Sequence, residues 1–103
     1  MASIWMGMLE VEWDDEKAAS NLWKHGISFH EAATVFQDED GLYEYDEGHS
    51  EREDRFHLIG VSNKQKMMVV IHVEREQLKL RIIGAREPTA AERRRYEQGP
   101  DGR

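Results

Sequence analysis

The sequence LKLRIIGAREPTAAERRRY, residues 78–96, predicts a β-strand that leads into a short C-terminal helix. Lys79 and Arg81 alternate with apolar residues, which is the period of a half-buried strand. Pro88 blocks continuation of the strand, and the residues from Thr89 to Glu92 form a capping-box pattern that starts a helix. A strand with cations on one face, followed by an Arg-rich helix, indicates a site for an anionic ligand. The competing interpretation is a solvated charged face.

Length and composition predict a single domain over residues 8–98, with a flexible N-terminal extension at 1–7 and a disordered tail at 99–103. The chain has no cysteine, which excludes disulfides and thiolate metal sites and fits a reducing compartment. It lacks the run of about 20 apolar residues that a membrane span requires. Its first residues also lack the pattern of a signal peptide. We therefore expect a cytoplasmic protein that does not contact a membrane.

The net charge of −7 is distributed unevenly along the chain. Residues 1–37 carry 2 basic and 6 acidic side chains, residues 38–54 carry 1 and 9, and residues 55–103 carry 11 and 6. An acidic total argues against non-specific binding of nucleic acid, but the basic C-terminal half is compatible with a local anion site. The acidic run at 38–54 predicts a solvated, mobile loop, because a run of like charges is usually solvated.

The rest of the chain predicts two helices and four more strands. One helix runs from Asp14 or Asp15 to a glycine stop at Gly26, and Trp23 lies on its apolar stripe. A second capping box begins another helix at Ser28. The other strands are predicted at residues 9–13, 42–45, 55–62 and 67–74. This order predicts an α+β fold: an antiparallel sheet with the two N-terminal helices on one face and a short C-terminal helix.

The predicted turns set the register of the last three strands. A two-residue turn at Arg75-Glu76 and a four-residue turn at residues 63–66 assign a core face to Phe56, Leu58, Val69, Ile71, Val73, Leu78, Leu80 and Ile82. The other, open face then carries Arg55, His57, Ile59, Val61, Met68, Val70, His72, Lys79, Arg81 and Ile83. His57, His72 and Lys79 fall in one row across three neighbouring strands. This row indicates either a binding surface or a solvent-exposed face that carries polar side chains without a function. The apolar residues beside them predict an uncovered patch that suits a partner protein.

Motif searches favour no metal or cofactor chemistry. The five histidines show no metal-ligand spacing, and the carboxylates cluster in the acidic loop instead of among the basic strands. The chain has no G-x-S-x-G motif, phosphate-binding loop or dinucleotide fingerprint. Trp13 and Trp23 are expected in the core instead of serving as platforms for nucleic-acid bases.

Several segments in combination resemble one protein family. They are Trp13-Asp14 with Lys17 and Asn21, Lys24-His25-Gly26-Ile27-x-Phe29 with Ala32, Arg55 ahead of Ile59-Gly60, Arg81-Ile82-Ile83-x-Ala85-Arg86, and Glu92-Arg93-x-x-Tyr96. Their order is similar to that of the BrnT toxins of BrnT/BrnA type II toxin–antitoxin systems. The resemblance covers about residues 9 to 98, which is nearly the whole domain.

This resemblance implies a RelE-like fold and a ribonuclease that inhibits translation by cutting RNA. It also implies a separate BrnA-like antitoxin that binds DNA, so that the toxin reaches operator DNA only through a hetero-oligomer with the antitoxin. No metal ion or other cofactor is expected. The positions that match the family motifs are Lys24, His25, Arg55, Arg81, Arg86, Glu92, Arg93 and Tyr96.

The chemistry of RNA cleavage suggests roles for these residues. Attack by the 2′-OH of the RNA needs a base, an acid for the leaving 5′-oxygen, and cations for the charged phosphorane. We expect Arg81 and Arg86 to stabilise the phosphate, His72 to transfer protons and Tyr96 to orient the substrate. Further RNA contacts are expected from Lys24, His25, Arg55, His57, Lys79 and Arg93. Lys24 and His25 also suit the end of a helix for dipole reasons alone.

A different class of function remains open at this point. The chain fits a catalytically weak or inactive toxin homologue that is kept as an antitoxin-binding module in operon repression. Cleavage of RNA that is lost with Arg81→Ala and Arg86→Ala would favour the enzyme. Tight binding to a partner without any cleavage would favour the module.

Overall fold

The computed structural model describes residues 1–99, which form one six-stranded sheet and three α-helices. The strands are β1 (Ala2–Met6), β2 (Leu9–Trp13), β3 (Leu42–Tyr45), β4 (Arg55–Val61), β5 (Met67–Glu76) and β6 (Lys79–Arg86). The helices are α1 (Asp15–His25), α2 (Phe29–Thr34) and α3 (Ala90–Gln98), with short 3₁₀ helices at Val35–Gln37 and Glu47–His49. The sheet order is β1-β2-β6-β5-β4-β3; β2 and β6 are parallel and the other neighbours are antiparallel. The predicted α+β class is confirmed, but the sheet is mixed and not wholly antiparallel as predicted, because β2 and β6 are parallel.

The N-terminal segment is a strand, where the sequence predicted a flexible extension. Ala2–Met6 pairs with Leu9–Trp13 across a tight turn in which Gly7 has a φ of 64°. Ile4 and Met6 pack against the core. Apolar residues at every second position supply this contact, so the segment gains hydrophobic burial as well as backbone hydrogen bonds. At the other end Gly99 ends α3, and the rest of the predicted tail lies outside the described residues.

The predicted caps of the helices are confirmed, and they need only local hydrogen bonds. The Asp14 carboxylate accepts from the backbone N–H of Lys17, and Gly26 ends α1 with a φ of 68°. The Ser28 hydroxyl accepts from the N–H of Glu31 at the start of α2. At α3 both hydrogen bonds of the capping box between Thr89 and Glu92 are present.

The orientation of α1 about its axis differs from the prediction, because Trp23 is 90% exposed instead of buried. Asn21 is the reason. Its side-chain amide donates to the carbonyls of Ile27 and Ala85, and its oxygen accepts from the N–H of Ala85. These three buried hydrogen bonds fix one face of α1 against β6, so the adjacent Leu22 and Trp23 point to solvent.

The register between β4 and β5 is one residue away from the prediction. Phe56 pairs with His72, and Val61 pairs with Met67, so that Ser62 belongs to the turn. The Ser62 hydroxyl accepts from the backbone N–H groups of Lys64 and Lys66, and this closes the turn one residue earlier. Because side chains alternate with period two, the shift moves every residue of β5 to the opposite face relative to β4.

The hairpin between β5 and β6 turns at Gln77-Leu78 instead of at Arg75-Glu76, with Leu78 at a φ of 60°. The last pair before the turn is Glu76 with Lys79, and register shifts interrupt the ladder in two places. His72 consequently lies opposite Ile82 and faces the core, while Ile71 is on the other side. The predicted row of His57, His72 and Lys79 is therefore wrong.

The sheet has two faces, which we call the helix face and the second face. The helix face packs against α1, α2 and the first 3₁₀ helix around a core of Val11, Trp13, Ile27, Phe29, Ala32, Ala33, Val35, Leu58, Met68, Val70, Ile82 and Ala85. The second face carries Arg55, His57, Ile59, Val69, Ile71, Val73, Lys79, Arg81 and Arg86. The predicted uncovered apolar patch is wrong, because Ile59, Met68 and Val70 are completely buried.

Candidate functional site

The second face gathers five of the side chains that the sequence predicted to act on RNA. Arg55 and Arg81 flank the same residue of β5, and His57 lies two residues from Arg55 on β4. Lys79 and Arg81 face the same way on β6, and Arg86 follows beyond a bulge in that strand. These side chains come from two strands that are separated by β5, so their grouping depends on the register.

Glu12 on β2 forms ion pairs with two of these cations. Its carboxylate lies 2.6 Å from Nη2 of Arg81 and 3.4 Å from Nζ of Lys79. Glu12 is only 6% exposed, and this burial by itself would raise the pKa of its carboxyl. The hydrogen bonds and charges of Arg81 and Lys79 outweigh burial and hold the pKa of Glu12 below its ordinary value. Glu12 therefore stays charged and fixes the direction of the Arg81 guanidinium.

Glu92 on α3 holds Arg86 in the same way, with a bidentate pair. The two oxygens of Glu92 lie 2.8 and 2.9 Å from Nη1 and Nη2 of Arg86, and Nη1 also donates to the Glu87 carbonyl. Three of the five guanidinium N–H groups are thus used, which leaves two for a ligand. The hydrogen bonds from Arg86 lower the pKa of Glu92 to about 2. Burial opposes this shift, and the hydrogen bond from the Thr89 amide adds to it.

The Glu92 pair predicts a pH-dependent contribution to stability. Since its folded pKa of about 2 lies below the ordinary 4.5, the stabilisation is complete above pH 4.5 and is lost as the pH falls towards 2. We expect Glu92→Gln to lower the free energy of unfolding at pH 7 by about 2 kcal/mol. Urea unfolding at a series of pH values measures this difference, which should shrink between pH 4.5 and 2.

Glu97→Gln is the matched control for this prediction, because Glu97 is exposed on the same helix. It should leave the free energy of unfolding within about 0.5 kcal/mol of the wild type at every pH. An equal pH dependence of the Glu92→Gln and Glu97→Gln differences would contradict the assigned role of the Arg86 pair.

A carboxylate with two imidazoles lies at the edge of the second face. Asp46 Oδ2 is 3.0 Å from Nε2 of His57 and 3.1 Å from Nδ1 of His49. Burial by itself would raise the pKa of Asp46, but the bonds to His49 and His57 outweigh it and lower that pKa. Glu92 has the main effect on Arg86 and, against burial, raises the pKa of that guanidinium, and the Asp46 charge adds to this rise.

The sequence missed Asp46 and His49 as site residues because they lie in the acidic run, which was predicted to be a solvated, mobile loop. The structure gives this segment a 3₁₀ helix at Glu47–His49 and several internal bonds. The Ser50 hydroxyl donates to the Asp46 carbonyl and accepts from the Arg55 N–H. The i, i+3 spacing of Asp46 and His49 on one helical turn is the signal that was available.

His72 does not lie on the open face, and its predicted position is wrong. Its ring is 3% exposed and stands 4.9, 5.8 and 6.1 Å from the rings of Phe36, Tyr43 and Phe56. Burial lowers its pKa to about 4, against a hydrogen bond with the Val70 carbonyl. His72 is therefore an uncharged core residue near neutral pH, and we do not assign it a proton-transfer role.

Tyr96 is bonded to Asp38 and not to the residues around Arg86. Its hydroxyl donates to Asp38 Oδ2 at 2.6 Å, and the same oxygen accepts from the Val61 N–H at 2.8 Å. Burial and the Asp38 carboxylate raise the pKa of Tyr96. The contact attaches α3 to the first 3₁₀ helix and to β4, one helical turn from Glu92.

Three other predicted RNA contacts lie away from the second face or on its margin. Lys24 and His25 end α1 and, together with Lys17, line a cavity of about 320 Å³ whose lining includes no carboxylate side chain. Arg93 is exposed on α3 and forms no ion pair with any residue in the described part of the chain. Lys24 and His25 thus line a cavity that includes neither Arg81 nor Arg86, whereas Arg93 follows Glu92, the partner of Arg86, on α3.

Two searches of the described part of the chain gave no candidates. Across residues 1–99, no group of three or more His, Cys, Asp or Glu side chains is arranged to hold a metal ion. Within the same range, no helix combines the length and hydropathy needed to cross a membrane.

Comparisons with known proteins agree with this architecture. A protein-family model described as "Ribonuclease toxin, BrnT, of type II toxin-antitoxin system" matches residues 13–92. The chain is similar to the 1.1 Å crystal structure of the Brucella abortus ribonuclease toxin BrnT, with 22% sequence identity and a TM-score of 0.61. The similarity covers 77% of this chain and 95% of the Brucella chain. A search of curated proteins found no match.

Proposed function

This chain belongs to the BrnT family of ribonuclease toxins of type II toxin–antitoxin systems, and from that premise we propose that it cleaves RNA at its second face. In this proposal the fold is RelE-like and the protein is an endoribonuclease that inhibits translation in the cytoplasm. The observation that supports the site is the pair of guanidiniums, Arg81 and Arg86, each fixed by a carboxylate of the same chain.

Fixed guanidiniums suit the chemistry of RNA cleavage. The 2′-oxygen of the RNA loses its proton to a base, attacks the neighbouring phosphorus, and displaces the 5′-oxygen, which takes up a proton. Arg81 and Arg86, with Arg55 beside them, bind the phosphate oxygens and neutralise the charge that develops on the phosphorane. Glu12 and Glu92 hold the arginines in place before substrate arrives, so little reorganisation is needed during the reaction. His57, Lys79 and Arg93 would add further contacts to the RNA backbone, and Lys24 and His25 would meet a more distant part of it.

We expect the reaction to proceed without a metal ion, because the proposed groups are imidazoles and guanidiniums that act directly on the phosphate. Cleavage should persist in excess chelator, and an RNA with a 2′-deoxy or 2′-methoxy group at the scissile position should resist cleavage. The products should carry a 2′,3′-cyclic or 3′-phosphate and a 5′-hydroxyl. Gel analysis of an end-labelled oligonucleotide checks all three. Loss of activity in chelator with rescue by magnesium would contradict the mechanism.

The type II family implies an antitoxin partner. We propose that the partner is a BrnA-like protein that forms a hetero-oligomer with this chain and covers the second face, blocking RNA. In that assembly operator DNA would be bound by the antitoxin. Co-expression and co-purification with the protein encoded by the neighbouring reading frame tests this part of the proposal independently of RNA cleavage.

One observation favours a second candidate function. Lys79, Arg81, Arg86 and Arg95 are each already engaged by a carboxylate of the same chain. Such internal neutralisation weakens the pull on an RNA backbone. A catalytically weak homologue that acts as an antitoxin-binding module would show tight partner binding and no cleavage of any RNA by the purified protein.

A further inference from the structure

One carboxylate serves two imidazoles at the edge of the second face. Asp46 accepts from Nδ1 of His49 and from Nε2 of His57. The Asp46 side chain is only 12% exposed and that of His57 is 22% exposed, whereas His49 is 71% exposed. The carboxylate is thus enclosed beneath an accessible imidazole. Because Nδ1 of His49 faces Asp46, its Nε2 is left free to meet a ligand.

His49 also faces a cavity that suits a phosphate chain. The cavity has a volume of about 410 Å³ and is lined by Gly48, His49, Glu51, Arg52, Glu53 and Arg55. Glu53 is engaged by Arg75 at 2.9 Å, which reduces its repulsion of an anion. Arg52 and Arg55 form no ion pair with the residues that the structure describes. The side chains of His49, Arg52 and Arg55 therefore border the same space, and Glu51 is the one lining carboxylate that no cation among the described residues engages.

The backbone around this cluster is held from both sides. The Asp46 N–H donates to the Arg55 carbonyl at 2.9 Å. The Ser50 hydroxyl links the Asp46 carbonyl to the Arg55 N–H. Asp46 and Arg55 thus keep a fixed relation although a loop of eight residues, 47–54, separates them. A proton-transfer group that rests on Asp46 is positioned relative to the cations of β4.

We propose that His49 is the general base for RNA cleavage and that Asp46 positions it, an inference that rests on the proposed ribonuclease function. Neutral His49 takes the 2′-OH proton at Nε2 while its Nδ1–H remains on Asp46. The 2′-oxygen forms a bond to phosphorus, the bond from phosphorus to the 5′-oxygen breaks, and a water molecule protonates that oxygen. The hydroxide that remains then takes the proton from Nε2 of His49 and restores the neutral imidazole. Asp46 stabilises the imidazolium that results, and Arg55 and Arg86 neutralise the phosphorane.

Single-turnover cleavage of a defined RNA oligonucleotide by the full chain tests this assignment. We expect His49→Ala to lower the rate by about 100-fold or more, with partial recovery in added imidazole and an unchanged thermal midpoint. The matched control is His30→Ala, which removes an exposed imidazole from α2, outside the site; its rate should equal that of the wild type.

Asp46→Asn provides a readout that a purely structural role would not change. We expect a rate about 100-fold lower with unchanged affinity for an uncleavable 2′-methoxy RNA, and recovery of much of the rate in Asp46→Glu, because an amide cannot stabilise the imidazolium and a carboxylate can. Apart from residue 46, this variant keeps every ionisable group around His49. These groups are Glu51, Arg52, Glu53, Arg55, His57 and Arg86.

Failure of the assignment is distinguishable from failure of the proposed function. If the wild type cleaves RNA and His49→Ala cleaves it at the same rate, the assignment is overturned and the ribonuclease function stands. A folded Asp46→Asn protein that cleaves RNA at the wild-type rate overturns the positioning role. If the wild type cleaves no RNA under any condition, the ribonuclease function fails, and the role of His49 fails with it.

Discussion

Replacing Arg86 with alanine is expected to lower the rate of RNA cleavage by about 100- to 1000-fold, the usual loss for one preorganised donor at a charged transition state. Glu92 fixes the guanidinium with two bonds of 2.8 and 2.9 Å, the Glu87 carbonyl accepts a third N–H group, and two N–H groups remain for the phosphate. An alanine removes both those donors and the positive charge. Single-turnover kinetics on a defined RNA measures the effect, and Arg81→Ala should act in the same direction.

The controls for this prediction separate charge from position. Arg94→Ala removes the same charge from an exposed position of α3 that has no role in the proposed site, and it should change the rate less than about threefold. Arg86→Lys keeps the charge but loses the fork that binds two phosphate oxygens, so its rate should stay well below that of the wild type.

Stability must be measured alongside these rates, because Arg86→Ala leaves the buried Glu92 carboxylate without its cationic partner. The double variant Arg86→Gln with Glu92→Gln replaces both charges by amides, and it should fold and still cleave slowly. A folded Arg86→Ala protein that cleaves RNA at the wild-type rate would show that Arg86 does not stabilise the transition state.

The second large effect concerns stability at acid pH and comes from His72. Its folded pKa of about 4 lies below the ordinary 6.5, so between these values the unfolded chain binds one more proton than the folded chain. Stability is therefore complete above pH 6.5 and falls as the pH drops towards 4, by about 3 kcal/mol in all. Urea unfolding at half-unit steps of pH measures this slope.

His72→Phe should flatten the stability curve between pH 6.5 and 4, because a phenyl ring occupies the aromatic site without binding a proton. The other ionisable groups near the ring are His57 across the sheet and Tyr43 and Glu74, which line the same groove. They remain in the variant, so the difference between the two curves belongs to His72. A His72→Phe protein with the same slope as the wild type would contradict the enclosed, uncharged state of His72.

Local sequence determined the secondary structure of this protein to a large extent. The caps at Asp14, Ser28 and Thr89 and the stop at Gly26 were all predicted, and all are present. Each depends on bonds between groups only a few residues apart, so the chain nearby contains the whole interaction. The order of the predicted elements, and with it the α+β class, follows from hydrophobic periodicity, which is also local. The extra strand at Ala2–Met6 was missed because pairing with β2, and not its own pattern alone, makes it a strand.

The tertiary structure alone decided which side chains meet. The position of two turns differed from the prediction by one or two residues, and a shift of one residue exchanges the two faces of a strand. That exchange placed His72 in the core and left Ile71 between His57 and Gly84. The cluster of Asp46, His49 and His57 was likewise not predicted, since it joins the acidic segment to β4. Register and long-range ion pairs depend on the balance of contacts across the whole sheet, and no short stretch of sequence contains that balance.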